Sequence, residues 1–144
     1  MEICKLHPTQ WEQASALVWQ VFQRFEAPEY PPQGVESFRA FLDDKQGLES
    51  LEAWAAWEED NLMGVLASRD RGAHICLCFV REDCHRQGIG RALWLRFLQD
   101  TAAQRVTVHA SPYGAGFYHK LGFRDIAAEQ LQDGIRFIPM EYTR

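Results

Sequence analysis

The chain has 144 residues, 47% of them hydrophobic and 24% charged, with a formal net charge of -5. That is the length of one compact domain with enough apolar material for its own core, and residues 1–144 are expected to form a single domain without disulfides or metal to hold it. The acidic balance and the lack of any basic run argue against a nucleic-acid binder, and no apolar run approaches the ~20 residues of a membrane helix.

Met1 to Leu6 reads as a first strand. Pro8 and Thr9 then open a helix whose apolar stripe is Trp11, Ala14, Val18, Val21, Phe22 and Phe25. It stops near Ala27-Pro28, because a residue before proline avoids the helical region. Glu26 to Gly34, with three prolines, is expected to be a loop, and Val35, Phe38, Phe41 and Leu42 mark a second helix ending near Gly47.

The period then changes. Leu51 to Glu58 alternates as a strand, Glu59-Asp60-Asn61 turns, and Leu62 to Ser68 returns. After a turn at Asp70-Arg71-Gly72, His74 to Val80 is nearly continuous in apolar residues, as in a strand buried on both faces. A helix follows with Ile89, Leu93, Trp94, Phe97 and Leu98. Arg105 to His109 is a strand, Pro112 to Leu121 a short helix, and Phe123–Ala127 and Ile135–Tyr142 two closing strands. The order β-α-α-β-β-β-α-β-α-β-β mixes hairpins with strand–helix–strand crossovers. It predicts an α/β (α+β) fold with a mixed sheet covered by helices.

Four cysteines are present. The opening Met1-Glu2-Ile3-Cys4-Lys5 leads into no long apolar stretch, so a cytoplasmic protein with reduced thiols is expected. Cys76 and Cys78 share one face of a predicted strand, with Cys84-His85 beyond. Their spacing is too short for the usual structural zinc pair, so they are read as core cysteines and no metal is expected.

The most informative stretch is Cys84-His85-Arg86-Gln87-Gly88-Ile89-Gly90-Arg91, which joins a buried strand to an amphipathic helix. The first amides of a helix have no internal partner, and the dipole is positive there. Gly88 and Gly90 would let an anion approach those amides, with Arg86 and Arg91 adding charge. A tight turn that happens to use two glycines is the competing reading. A P-loop is excluded because Arg91-Ala92 follows Gly90, and the dinucleotide fingerprint is excluded because Leu93 holds the position of its third glycine.

This loop resembles the Gln/Arg-x-x-Gly-x-Gly/Ala signature of the GNAT superfamily of N-acetyltransferases. A second stretch, Ser111-Pro112-Tyr113-Gly114-Ala115-Gly116-Phe117-Tyr118-His119-Lys120-Leu121-Gly122-Phe123, is similar to the family's later motif: an Asn, a Tyr seven residues on, then x-Lys-x-Gly-Phe. The element order also resembles the GNAT fold, whose sheet is mostly antiparallel and twisted. Two positions depart from the pattern: His85 stands for Gln or Arg, and Ser111 for Asn.

The resemblance implies an acetyl-CoA-dependent transfer of an acetyl group to a primary amine of a small molecule or peptide. Pantetheine would lie along Phe79 and Val80, with the Val80 N–H on the thioester carbonyl. The diphosphate would rest on Arg86, Gln87, Gly88, Ile89, Gly90 and Arg91, with His85, Ser111 and Tyr118 as further coenzyme A contacts. Tyr118 is expected to be the general acid. Glu26, with Tyr30 and His109 at the acceptor side, is the favoured base; His74, His109, Glu58 and a water chain compete with it. Phe25, Tyr30, Trp54 and Trp57 are candidates for an aromatic acceptor pocket or for ordinary core. No nucleophile elbow is present, which agrees with direct attack. A homodimer is the habit of the family, and a non-catalytic acyl-CoA-binding module is the alternative function.

Overall fold

The computed structural model describes residues 1–144. β1 (Glu2–Lys5) leads through a turn at Pro8–Gln10 into α1 (Trp11–Phe25), and α2 (Pro32–Asp43) and α3 (Lys45–Glu49) follow. β2 (Glu52–Glu58), β3 (Asn61–Arg69) and β4 (His74–Val80) form two hairpins. Then come α4 (Ile89–Asp100), β5 (Arg105–Ala110), α5 (Ala115–Leu121), β6 (Arg124–Asp125), β7 (Gln130–Gln132) and β8 (Ile135–Thr143).

The sheet runs β1-β2-β3-β4-β5-β8-β6, with β7 also paired to β8. Every pairing is antiparallel except β4 with β5. This is the mixed, mostly antiparallel architecture expected from the element order.

Strand alternation sends side chains to two cores. On one face Ala53, Ala55, Val65, Ala67, Leu77 and Phe79 meet Trp11, Leu17, Val18, Val21 and Phe22 of α1. On the other, Trp54, Leu66, Val106, Val108 and Met140 meet Leu93, Trp94 and Phe97 of α4 and Tyr118 of α5.

Two elements go beyond the expected order. The second helix does not run on to Gly47. At Asp44 the backbone leaves the helical region (ψ 86°), and the Asp44 carboxylate accepts the Gly47 N–H at 3.1 Å. That side-chain cap starts α3 as a separate turn. β7 is three exposed residues held by pairing with β8 alone.

α2 begins at Pro32, earlier than its apolar stripe suggests, because proline suits the first helical turn. Its first turn lies against the β7–β8 turn. A Cβ on Gly34 would come within 2.0 Å of the Gly134 oxygen, and one on Gly134 within 2.2 Å of the Gly34 nitrogen. The Ser37 hydroxyl donates to the Asp133 carbonyl at 2.7 Å beside this contact.

Candidate active site

β4 holds β5 at only two positions, His74 with Thr107 and Ile75 with Val108. The next residue, Cys76, is the extra one in a β-bulge: Ala67 pairs with Leu77 and Ser68 with Ile75. A bulge bends its strand. β4 therefore leaves β5 at Cys76, and a wedge-shaped gap opens toward Val80.

Which backbone groups face that gap follows from strand parity. The Arg81 N–H donates to the Met63 carbonyl at 2.8 Å. In an antiparallel pair, bonding to a given neighbour recurs at every second residue. Leu77, Phe79 and Arg81 thus bond to β3, while Cys78 and Val80 turn their N–H and C=O groups into the gap. The expectation for Phe79 changes accordingly: its backbone belongs to β3 and its ring packs on Phe38 at 5.9 Å. Cys78, which the sequence assigns only to the core, turns its backbone to the gap instead, and a parity count along His74 to Val80 is the signal that finds it.

The same bulge separates the two cysteines. Cys76 packs toward the α1 core and Cys78 toward the α4 core, so they do not share a face. All four cysteines are free thiols.

Beyond the gap, the loop from Arg81 to Gly88 delivers the chain to α4. Arg86 (φ 64°) and Gly88 (φ 79°) both adopt the left-handed region. Gly88 caps α4 by backbone alone: no side chain bonds to the first amides, and no acidic residue sits in the first turn. The first internal bond there runs from the Ala92 N–H to the Gly88 carbonyl, 3.0 Å. The amides of Ile89, Gly90 and Arg91 are left for an external acceptor, at the positive end of a 12-residue helix.

The two glycines have different reasons. A Cβ on Gly88 would meet nothing within 4 Å, so the space above it is open. A Cβ on Gly90 would come within 2.9 Å of the Phe117 ring, so Gly90 serves the packing of α5 on α4. Arg86, Gln87 and Arg91 are exposed around the open side. His85 turns inward: its Nε2 lies 2.8 Å from the Val80 carbonyl. A carbonyl only accepts, so Nε2 carries the proton. That side chain fixes the end of β4 instead of reaching toward the exposed loop.

A second group of side chains converges at the mouth of the gap. Glu26 ends α1 and its neighbour Phe25 forms an aromatic bridge, stacking on Tyr113 at 4.9 Å and tilting against His85 at 5.1 Å. The bridge ties the end of α1 to the segments that follow β4 and β5. Burial pushes the Glu26 carboxyl up from its ordinary 4.5 to about 7, while the Ser111 and Tyr30 hydroxyls favour its charged form and Glu29 adds repulsion. The Tyr30 hydroxyl lies 3.5 Å from the carboxylate. Burial first, then the Glu26 charge, raises Tyr30 in turn.

Tyr118 approaches from α5. It is 7% exposed, and burial drives its hydroxyl well above its ordinary range, with Cys78 and Glu26 adding to the effect. The only sealed side-chain polar atom without a partner in the chain is Ser68 Oγ. The Tyr118 hydroxyl, which no residue of the chain engages, therefore keeps some access to solvent.

Other sequence candidates lie elsewhere. Glu58 pairs with the N-terminal ammonium at 3.3 Å, on the β1–β2 side of the sheet. His74 sits at the closed end of the gap, with Nδ1 2.8 Å from the Thr107 hydroxyl, and burial lowers it to about 4. His109 stacks on Phe137 at 4.2 Å and lines a depression with Gln33, Ser37 and Gln132 between α2 and the β7–β8 turn. It makes no contact with Glu26. Trp54 is core, its Nε1–H donating to Asp100 at 2.8 Å, and Trp57 packs against the α1 core.

Residues 26–144 match the family model of the acetyltransferase (GNAT) domain. Among solved structures, a GCN5-related N-acetyltransferase from Rhodopseudomonas palustris is 18% identical, with a TM-score of 0.86 over 99% of this chain and 95% of that one. The paia N-acetyltransferase from Thermoplasma acidophilum, solved with coenzyme A, is 20% identical, with a TM-score of 0.76 over 99% and 98%. An aminoglycoside 6'-N-acetyltransferase, also complexed with coenzyme A, is 15% identical, with a TM-score of 0.66 over 99% and 97%. No curated protein sequence matches. At these identities the structural likeness speaks for the fold, and the family model, spanning more than half of the chain, carries the assignment: this chain belongs to the GNAT acetyltransferase family.

Proposed function

We propose that the chain, acting as a single domain, binds acetyl-CoA in the gap between β4 and β5 and transfers the acetyl group directly to a primary amine. The observation that carries this reading is the wedge itself: a strand edge with free backbone groups that runs straight into a helix start with uncapped amides.

The residues present suit such a donor. Free amides and the open space over Gly88 fit a diphosphate, and Arg86 and Arg91 add charge around it. The Cys78 backbone groups and the Val80 N–H fit an extended amide-bearing arm, which would lie along β4 as a strand does, while the Val80 carbonyl is taken by His85. The Val80 N–H points where a thioester carbonyl would develop negative charge and would stabilise it.

In the transfer, the amine nitrogen attacks the thioester carbon. The C–N bond forms, the C–S bond breaks, and the electron pair leaves on sulfur. Glu26, at about pH 7 half ionised, takes the proton from the amine. Tyr118, held protonated by burial, gives its proton to the departing thiolate. The aromatic bridge of Tyr113, Phe25 and His85 shields this exchange from water.

Titration calorimetry with acetyl-CoA, followed by coenzyme A release with a panel of primary amines, tests the proposal. Binding in the micromolar range and amine-dependent release are expected. Absence of binding to folded protein would remove the donor site.

A further inference from the structure

We infer that Thr107 is a positioning residue for the donor gap: with His74 it pins the closed end of the wedge and so sets where the free edge of β4 parts from β5. This rests on the reading of that gap as the acetyl-CoA site, and it gives Thr107 a role through strand placement, not through contact with either substrate.

The parallel ladder between β4 and β5 is only two residue pairs long, His74 with Thr107 and Ile75 with Val108. The Thr107 N–H donates to the Ala73 carbonyl at its start, 2.8 Å. So short a ladder gives little backbone hold, and side-chain bonds at the apex carry a larger share of it. Thr107 supplies two. Its hydroxyl lies 3.1 Å from the same Ala73 carbonyl and 2.8 Å from His74 Nδ1. A hydroxyl has one proton, and a carbonyl only accepts. The proton therefore goes to Ala73, and the oxygen accepts from His74, whose ring proton must sit on Nδ1. Three bonds thus tie Thr107 to Ala73 and His74.

The two side chains meet on the face of the sheet opposite to Ile75, Val106 and Val108, which point into the α4 core. On that face the His109 ring meets the His74 ring edge-on at 4.9 Å and stacks on Phe137 at 4.2 Å. Rings from β4, β5 and β8 abut in a row, which limits rotation of the imidazole away from the hydroxyl. One residue beyond the ladder, the bulge at Cys76 bends β4 away. The pin fixes the point of separation and the bulge gives its direction. Without the pin the short ladder frays, the apex shifts, and donor binding must first restore the width of the gap.

Thr107→Val tests this, because valine keeps the branched shape and loses the hydroxyl. The backbone bond to the Ala73 carbonyl remains, and His74 is half-buried, so water can take its released N–H. A melting curve checks the fold. In the free wild type, long-range proton–nitrogen correlation should show His74 protonated at Nδ1, and Thr107→Val should lose that preference. Calorimetry well below the melting midpoint should show acetyl-CoA affinity reduced by about threefold to tenfold in Thr107→Val. Thr107→Ser, which keeps the hydroxyl, should stay within about twofold of wild type. His74→Phe, which keeps a ring against His109 but no donor, should lose part of the affinity. The double variant should be no weaker than Thr107→Val alone, since loss of the hydroxyl already removes the histidine's bond. The KM of an accepted primary amine should not move in any of them.

An acetyl-CoA affinity unmoved by Thr107→Val overturns the inference, and so does a wild-type His74 protonated at Nε2. Losses that multiply in the double variant also overturn it, because the two residues would then act apart. If the wild type itself takes up no acetyl-CoA, the donor site and this role for Thr107 fall together, while the tautomer of His74 shows separately whether the pin exists.

Discussion

The two sides of the cleft proposed for acetyl transfer are made of different material. The donor side is backbone: the gap-facing edge of β4, then the bare amides that open α4, with exposed side chains only at the rim. The acceptor side is made of side chains brought from distant parts of the chain, Glu26 and Tyr30 from the segment after α1, Ser111 and Tyr113 from the segment after β5. A backbone site tolerates loss of its neighbours' side chains, because its ligands are common to every residue. A side-chain site depends on single atoms. Removing side chains should therefore be mild on one side and severe on the other.

The most damaging change should be Glu26→Gln. Loss of a general base lowers kcat/KM by about a hundredfold or more, with acetyl-CoA binding unchanged. The rise of wild-type activity through pH 7 should vanish with it, since only the ionised carboxylate accepts a proton. The same variant should be more stable. The folded-state pKa of Glu26 lies above the unfolded value of 4.5, so its contribution is intact below pH 4.5 and declines as pH rises toward 7. At pH 8 Gln should melt higher, by roughly 1–3 kcal/mol of stability. A fall in donor affinity with kcat unchanged would break the division of the cleft.

Tyr118→Phe should come next, lowering kcat by about tenfold to a hundredfold at unchanged fold and donor affinity. Gly88→Val attacks the donor side where it is vulnerable, in its backbone. It forces a β-branched residue to a φ of 79° and fills the open space. Acetyl-CoA affinity should drop by about tenfold, with a stability cost of roughly 1–3 kcal/mol. The smallest effect belongs to Arg86→Ala. The side chain is exposed, so the loss should be about twofold to fivefold and fade at high salt. A hundredfold loss there would show that the rim, not the backbone, holds the donor.

The same contrast explains what could be read from the sequence. The donor loop is contiguous, and its glycines sit at a strand-to-helix junction, so motif and periodicity were enough to locate it. The gap beside it needed the bulge at Cys76, which only strand pairing reveals. The sequence points to Phe79 along the gap because parity cannot be assigned before the neighbour is known. Glu26 was identified as a candidate, but the burial and partners that tune it arise from tertiary proximity to Ser111, 85 positions away in the numbering of the chain. His85 resembles a coenzyme A contact by its place in the motif, and only the folded chain shows its bond to the Val80 carbonyl. β7 left no signal, because Gln130, Leu131 and Gln132 are all exposed and carry no alternation of burial.

The meeting of Gly34 and Gly134 constrains how the face between α2 and β8 can be redesigned. Main chain touches main chain there, so the seam between α2 and the β7–β8 turn leaves no room for a larger residue at either position. Gln33 and Gln132 line the depression that faces His109 and can be exchanged without parting the two segments. Substitutions on this face would vary those two and leave both glycines untouched.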